Sequence, residues 1–232
     1  IISALLDFGF STDETDFAFP SLNLACLLGN IQNVKFWFSR FPHADREVKD
    51  KVFRGTPLLT ALTNNNFARQ PKMLKVLLDA GASIGAMDDH HSDVINHFVQ
   101  CADANPETFR ILVNALKSRG MWNPSRRRGF GRTFKWKVLN GYFMTSYFFM
   151  RKRWLIGHAT LPGSTYLFTA ISNADVELVE LLLDAGVDPK IRCSLGYDAL
   201  KFCDHIGPYP SIRRLLERKV EENRVSTGRG SK

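Results

Sequence analysis

The chain reads Thr165-Tyr166-Leu167-Phe168-Thr169-Ala170-Ile171, then, after a short polar turn, Val176-Glu177-Leu178-Val179-Glu180-Leu181-Leu182-Leu183-Asp184-Ala185-Gly186-Val187-Asp188. Nearly the same phrase stands at Thr56-Pro57-Leu58-Leu59-Thr60-Ala61-Leu62, followed by Met73-Leu74-Lys75-Val76-Leu77-Leu78-Asp79-Ala80-Gly81-Ala82. Each part has a physical job. Thr56 and Thr165 stand where an N-cap hydroxyl meets free backbone donors, and Pro57 takes the first helical position, where its missing N–H costs nothing. Ala61 and Ala170 keep the helix thin, so that neighbouring helices can approach closely. Gly81 and Gly186 follow the second helix, where a left-handed residue ends it.

Weaker copies extend the pattern. Pro20-Ser21-Leu22-Asn23-Leu24-Ala25-Cys26 with Gly29-Asn30 reads as a first helix and its turn, and residues 34–38 as the second. Ser92 to Phe98 with Phe109 to Leu116 is a poor copy, Asp198 to Cys203 with Ile212 to Leu216 a terminal one, and Ile1 to Gly9 the tail of an earlier second helix. Taking Pro20, Thr56, Ser92, Thr165 and Asp198 as equivalent gives steps of 36, 36, 73 and 33 residues, a solenoid-like period with one excess.

At this point the chain resembles the ankyrin-repeat family, whose unit runs Gly-x-Thr-Pro-Leu-His-x-Ala, a turn, and a Leu-Leu helix closing on Gly-Ala. The resemblance covers about residues 1–218 and implies an all-α, ankyrin-like solenoid of stacked antiparallel helix pairs. The family's His, which ties adjacent repeats, is replaced by Asn23, Leu59, Ile95, Phe168 and Lys201, and only one copy keeps the Pro. The array is therefore well removed from consensus. A tetratricopeptide array has a similar period but does not explain the Asp-Ala-Gly endings or the Thr-led helix starts. The expected organisation is ankyrin-like repeats over 1–118, the first partial, a basic aromatic insert over 119–162, further repeats with a cap over 163–218, and a disordered tail over 219–232.

Charge singles out the insert. The net charge is +8, yet residues 108–174 contain no Asp or Glu and carry twelve Lys and Arg. Arg126, Arg127, Arg128, Lys135, Trp136, Lys137, Arg151, Lys152, Arg153 and Trp154 are its anionic-ligand candidates. Clustered cations beside aromatic rings suit an anionic membrane surface or a nucleic-acid strand, and the two arginine clusters also read as weak nuclear-import signals. The blander reading, aromatics laid on the array and charges left in water, carries more weight. Alternation around Phe134, Trp136 and Val138 before Asn140-Gly141 allows a β-ribbon, while the run from Thr133 to Leu155 allows a helix, which is preferred.

No phosphate loop, nucleophile elbow or His-Glu-x-x-His helix occurs, so the chain reads as non-catalytic, with no cofactor and no metal. Asp88, Asp89, His90, His91, Asp93 and His97 cluster, but they fall where the family places a polar hairpin and a helix start. Four scattered cysteines read as reduced thiols of a cytoplasmic or nuclear protein. The apolar run from Val138 to Met150 is too short and too interrupted to span a membrane. The opening at Ile1 rather than Met leads to the expectation of a C-terminal fragment of a longer protein.

The resemblance implies a monomeric protein-binding module, with hairpin tips and first helices forming the contact face. Asp88, Asp89, His90, Arg192, Ser194 and Leu195 are its candidate contacts. The alternatives are a tether through the insert, or a regulatory tail of an upstream enzyme.

Overall fold

The computed structural model describes residues 20–51, 54–63, 70–89, 91–100, 105–127, 164–193 and 195–229. Regular structure among them is helical throughout, with no strand. In chain order the helices are α1 (Ser21–Leu27), α2 (Ile31–Arg40), α3 (Pro57–Leu62), α4 (Gln70–Asp79), α5 (Val94–Gln100), α6 (Pro106–Ser118), α7 (Tyr166–Ser172), α8 (Val176–Asp184), α9 (Ala199–Ile206) and α10 (Pro210–Arg229).

They pack as five consecutive pairs. The shorter first helices lie in one row, α1 on α3, α3 on α5, α5 on α7 and α7 on α9. The second helices form a row beside it, α2 on α4, α4 on α6 and α8 on α10. Because α5 packs directly on α7, the 36 residues between Arg127 and Ser164 do not separate the third and fourth pairs. The second-helix row is looser there, since α6 and α8 do not pack as their counterparts do.

Local chemistry explains the starts and stops. Thr56 accepts from the Leu59 N–H and is followed by Pro57, Asn105 accepts from the Glu107 and Thr108 N–H groups, and Asp175 and Asp198 accept from Leu178 and Lys201. Gly81 and Gly186 both adopt φ of +95° with open space around them, so what reserves these positions for glycine is backbone conformation rather than room. The two best sequence copies thus fold alike, except that Thr165, expected to cap as Thr56 does, makes no side-chain cap bond.

Three expectations shift. The third first-helix begins one residue late, because the Asn96 N–H bonds to Asp93 Oδ1 at 2.9 Å while Ser92 donates its own N–H to Asp88. The position expected as Ile95 is therefore Asn96, and the small-residue slot of that helix holds Phe98, fully buried and stacked on Phe109 at 5.8 Å. Down the first-helix row the slot reads Ala25, Ala61, Phe98, Ala170, Cys203, so a large residue sits between small ones. The tail, expected to lose order from residue 219, continues in α10 through Arg229. Ion pairs spaced three or four residues apart, Arg213 with Glu217, Arg218 with Glu222 and Lys219 with Glu222, support it, and Arg218 and Lys219 also reach Glu180 and Asp184 on α8.

One buried carboxylate fastens the halves of the array. Asp93, besides capping α5, accepts the Tyr166 hydroxyl of α7 at 2.8 Å and lies 3.1 Å from Arg126 Nε. The Trp122 indole stacks on Tyr166 and donates its N–H to the Ala185 carbonyl at the end of α8, and the Asn173 amide donates to Val99 O. The chain leaving α6 and the chain entering α7 are thereby held at one point.

Two consequences are measurable by chemical denaturation. Ala170→Leu, which adds volume to a fully buried site between α5 and α9, costs about 1–3 kcal/mol, and an unchanged midpoint would show that the row is not closely packed there. Asp93→Ala strands a buried hydroxyl and a guanidinium and costs about 3–5 kcal/mol, against about 1–3 kcal/mol for Tyr166→Phe. Burial first, then the charge and hydrogen bond of Asp93, push the Tyr166 phenol above its ordinary value. Unfolded tyrosine ionises near pH 10, so above about pH 10 the unfolded state sheds a proton that the folded state keeps, and stability falls by about 1.4 kcal/mol per pH unit from this group. Tyr166→Phe removes that part of the alkaline loss, and identical alkaline profiles for the two proteins would contradict the buried phenol.

Candidate partner-binding face

Between successive pairs the chain projects fingers, described here over residues 41–51 and 54–56, 80–89 and 91–93, and 185–193 and 195–198, with the start of a further one at 119–127. The same loop closes three of them. Asp50 N–H bonds to Gly55 O at 3.1 Å, Asp88 N–H to Ser92 O at 3.1 Å and Cys193 N–H to Tyr197 O at 2.9 Å. In the first two the aspartate side chain turns back on its own loop, Asp50 accepting from Gly55 N–H and Asp88 from Ser92 N–H, each at 2.8 Å. These acids are structural elements of the tip.

Neighbouring fingers are stitched together. Arg46 Nε donates to Ala80 O, the Ser83 N–H donates to Glu47 Oε1, and Lys49 Nζ donates to Met87 O. Burial lifts the Glu47 carboxyl above its usual range, against the lowering effect of the Ser83 N–H. From the first helix behind them, Asn23 Nδ2 donates to Val48 O and Gly55 O at 3.2 and 3.0 Å. Asn23 occupies the position of the missing family histidine, and it ties its pair to the next finger as that side chain was expected to do.

The predicted contacts divide on this framework. Asp88 is buried, 3.1 Å from His97 Nε2, and so is turned away from any partner. Asp89 is partly exposed and bridges Lys49 at 3.6 Å and Arg54 at 3.4 Å from the preceding finger. Arg192 is exposed and Leu195 half-buried against the core. His90 and Ser194 lie outside the described residues. Arg126 is spent on Asp93 and on Met87 Sδ, whereas Arg127 is exposed. Arg128, Lys135, Trp136, Lys137, Arg151, Lys152, Arg153 and Trp154 lie outside the described residues, as does the choice between ribbon and helix for the insert. Residues 119–127, assigned to the insert on composition, begin as other fingers do: the Ser125 N–H bonds to Asn123 Oδ1 as the Lys190 N–H does to Asp188 Oδ1.

Sequence reading missed Lys51, Arg54, Met87 and Lys190, which are exposed on the tips. The alternation of inward Asp with outward Lys or Arg in Lys49-Asp50-Lys51 and Asp188-Pro189-Lys190 was the available signal. Burial pushes the Cys26 and Cys203 thiols upward, away from thiolate. Among the described residues no group of three His, Cys, Asp or Glu is placed to hold a metal ion, and no helix is long and apolar enough to cross a membrane.

No family model matches the chain. The chain is similar to the B-cell lymphoma 3 protein homolog of Mus musculus, a protein that carries ankyrin repeats, at 27% identity over 198 residues. That match takes in 84% of this chain and 43% of the mouse protein, so the chain spans less than half of its relative's length. The similarity points toward the ankyrin-repeat family and, with it, toward a protein-interaction module.

Proposed function

We propose that this chain is a non-catalytic, divergent ankyrin-type solenoid that works as a monomer and binds a protein partner through its finger tips and the adjoining first helices. The observation that carries the reading is the stitched row of fingers. Short helix pairs stack in phase, and the loops between them are held rigid by Asp50, Asp88, Asn23 and the cross-finger bonds of Arg46, Glu47 and Lys49. Rigid loops on a repeated scaffold bind without a large ordering cost. The similarity to an ankyrin-repeat protein supports the same reading.

Asp89, Arg192 and Leu195 remain the candidate contacts on this face. Alanine substitution of all three lowers binding to the partner that crosslinks to the fingers at least about tenfold, with the melting temperature held as a control on folding. Unchanged binding in a folded triple variant places the contact elsewhere.

A second reading rests on the acid-free, twelve-cation stretch of residues 108–174. It makes the segment after Arg127 a tether to an anionic membrane or to nucleic acid. Salt-sensitive binding to anionic vesicles or oligonucleotides, lost when residues 128–163 are replaced by a short Gly-Ser linker, is its expected outcome. Binding that survives the replacement assigns the affinity to the array.

A further inference from the structure

We infer that the finger ridge receives an acidic, extended polypeptide segment, laid across the tips with its carboxylates at multiples of about three residues. This rests on the reading of the fingers as the partner-binding face and adds the chemistry of what they bind.

The argument starts from where each charge points. The described fingers carry nine cations, Arg46, Lys49, Lys51, Arg54, Arg119, Arg126, Arg127, Lys190 and Arg192, against eight carboxylates, Asp45, Glu47, Asp50, Asp88, Asp89, Asp93, Asp188 and Asp198. Asp50, Asp88 and Asp93 are buried and already bonded to backbone N–H groups of their own loops or helix, and Asp89 is bracketed by Lys49 and Arg54. Among the finger carboxylates only Asp45 is exposed, whereas Lys51 and Arg54 on the first finger, Arg119 and Arg127 on the third, and Lys190 and Arg192 on the fourth are exposed cations. Since six of the exposed finger charges are positive and one is negative, an anionic partner is drawn to the ridge and a cationic one repelled.

Spacing selects the shape of that partner. Fingers follow the order of the first helices they lead into, and packed helices lie about 8–10 Å apart, so the cations of the third and fourth fingers stand about one helix spacing apart and those of the first and third about two. An extended chain advances about 3.3 Å per residue, and side chains three residues apart therefore meet successive tips. Exposed Met87, on the second finger, whose described residues include no Lys or Arg, offers an apolar contact between the charges. No Phe, Tyr or Trp is exposed among the described tip residues, so the stacking platform that single-stranded nucleic acid uses is absent from them.

The test uses the full 232-residue chain and a fluorescein-labelled peptide of Glu-Ser-Gly repeats, followed by anisotropy at low salt. A peptide of the same composition with its glutamates contiguous and an oligo-dT strand serve as comparisons. The spaced peptide binds tightest. Arg127→Glu, Lys190→Glu and Arg192→Glu each weaken it roughly fivefold, and the triple variant weakens it by roughly a hundredfold, while Arg224→Glu on the far helix α10 leaves it unchanged and circular dichroism confirms that every variant is folded. Equal losses from Arg224→Glu and the tip variants, or tighter binding of oligo-dT than of either peptide, overturn the inference. Should a partner crosslinked to the fingers stay bound to the triple variant, the acidic assignment falls while the fingers remain the contact face. Crosslinks lying wholly off the fingers would instead remove the reading on which both depend.

Discussion

Helices of six or seven residues such as α3, α5 and α7 lie well below the length at which a helix holds itself together in water. Everything else in this protein follows from that constraint. Each short helix persists only because neighbours on both sides take its apolar surface, which is why Leu58, Leu59, Ala61 and Leu62 of α3 are all shielded from solvent. Such a row is cooperative with its nearest members and indifferent to distant ones. Its weakest joint accordingly matters more than its average packing.

That joint lies between the third and fourth pairs, where the connecting sequence is longest and where α6 and α8 do not pack as their counterparts do. Apolar contact in the second-helix row is replaced there by directed polar bonds from Trp122, Arg126, Asn173 and Tyr166. Asp93 is the centre of that set. A carboxylate that caps a helix, accepts a phenol and faces a guanidinium is satisfied on every side, which is the condition under which a buried charge fixes geometry instead of destabilising it.

The fingers obey the same logic on a smaller scale. Their aspartates close loops and cap helices, and in doing so they withdraw negative charge from the surface. A single structural requirement, that tip backbone donors be satisfied locally, thus also sets the sign of the exposed ridge. The fold's own hydrogen bonding prepares the electrostatic character of the proposed contact face.

Much of this was written in the linear chain. Apolar spacing, threonine and aspartate caps, Pro57 and the closing glycines at 81 and 186 act over a few residues, so the helix pairs and their recurrence are local facts. Three features were not local. The start of α5 moved to Asp93 because the cap competes with a loop bond between Ser92 and Asp88, and choosing between adjacent polar residues depends on that three-dimensional loop. The large Phe98 in a slot of small residues became acceptable only because its neighbours in the row are alanines. The inward turn of Asp88 and the outward turn of Lys190 and Arg192 look alike in a string of polar letters, and tertiary packing separates them, since burial is a property of what lies across from a side chain and not of the side chain itself.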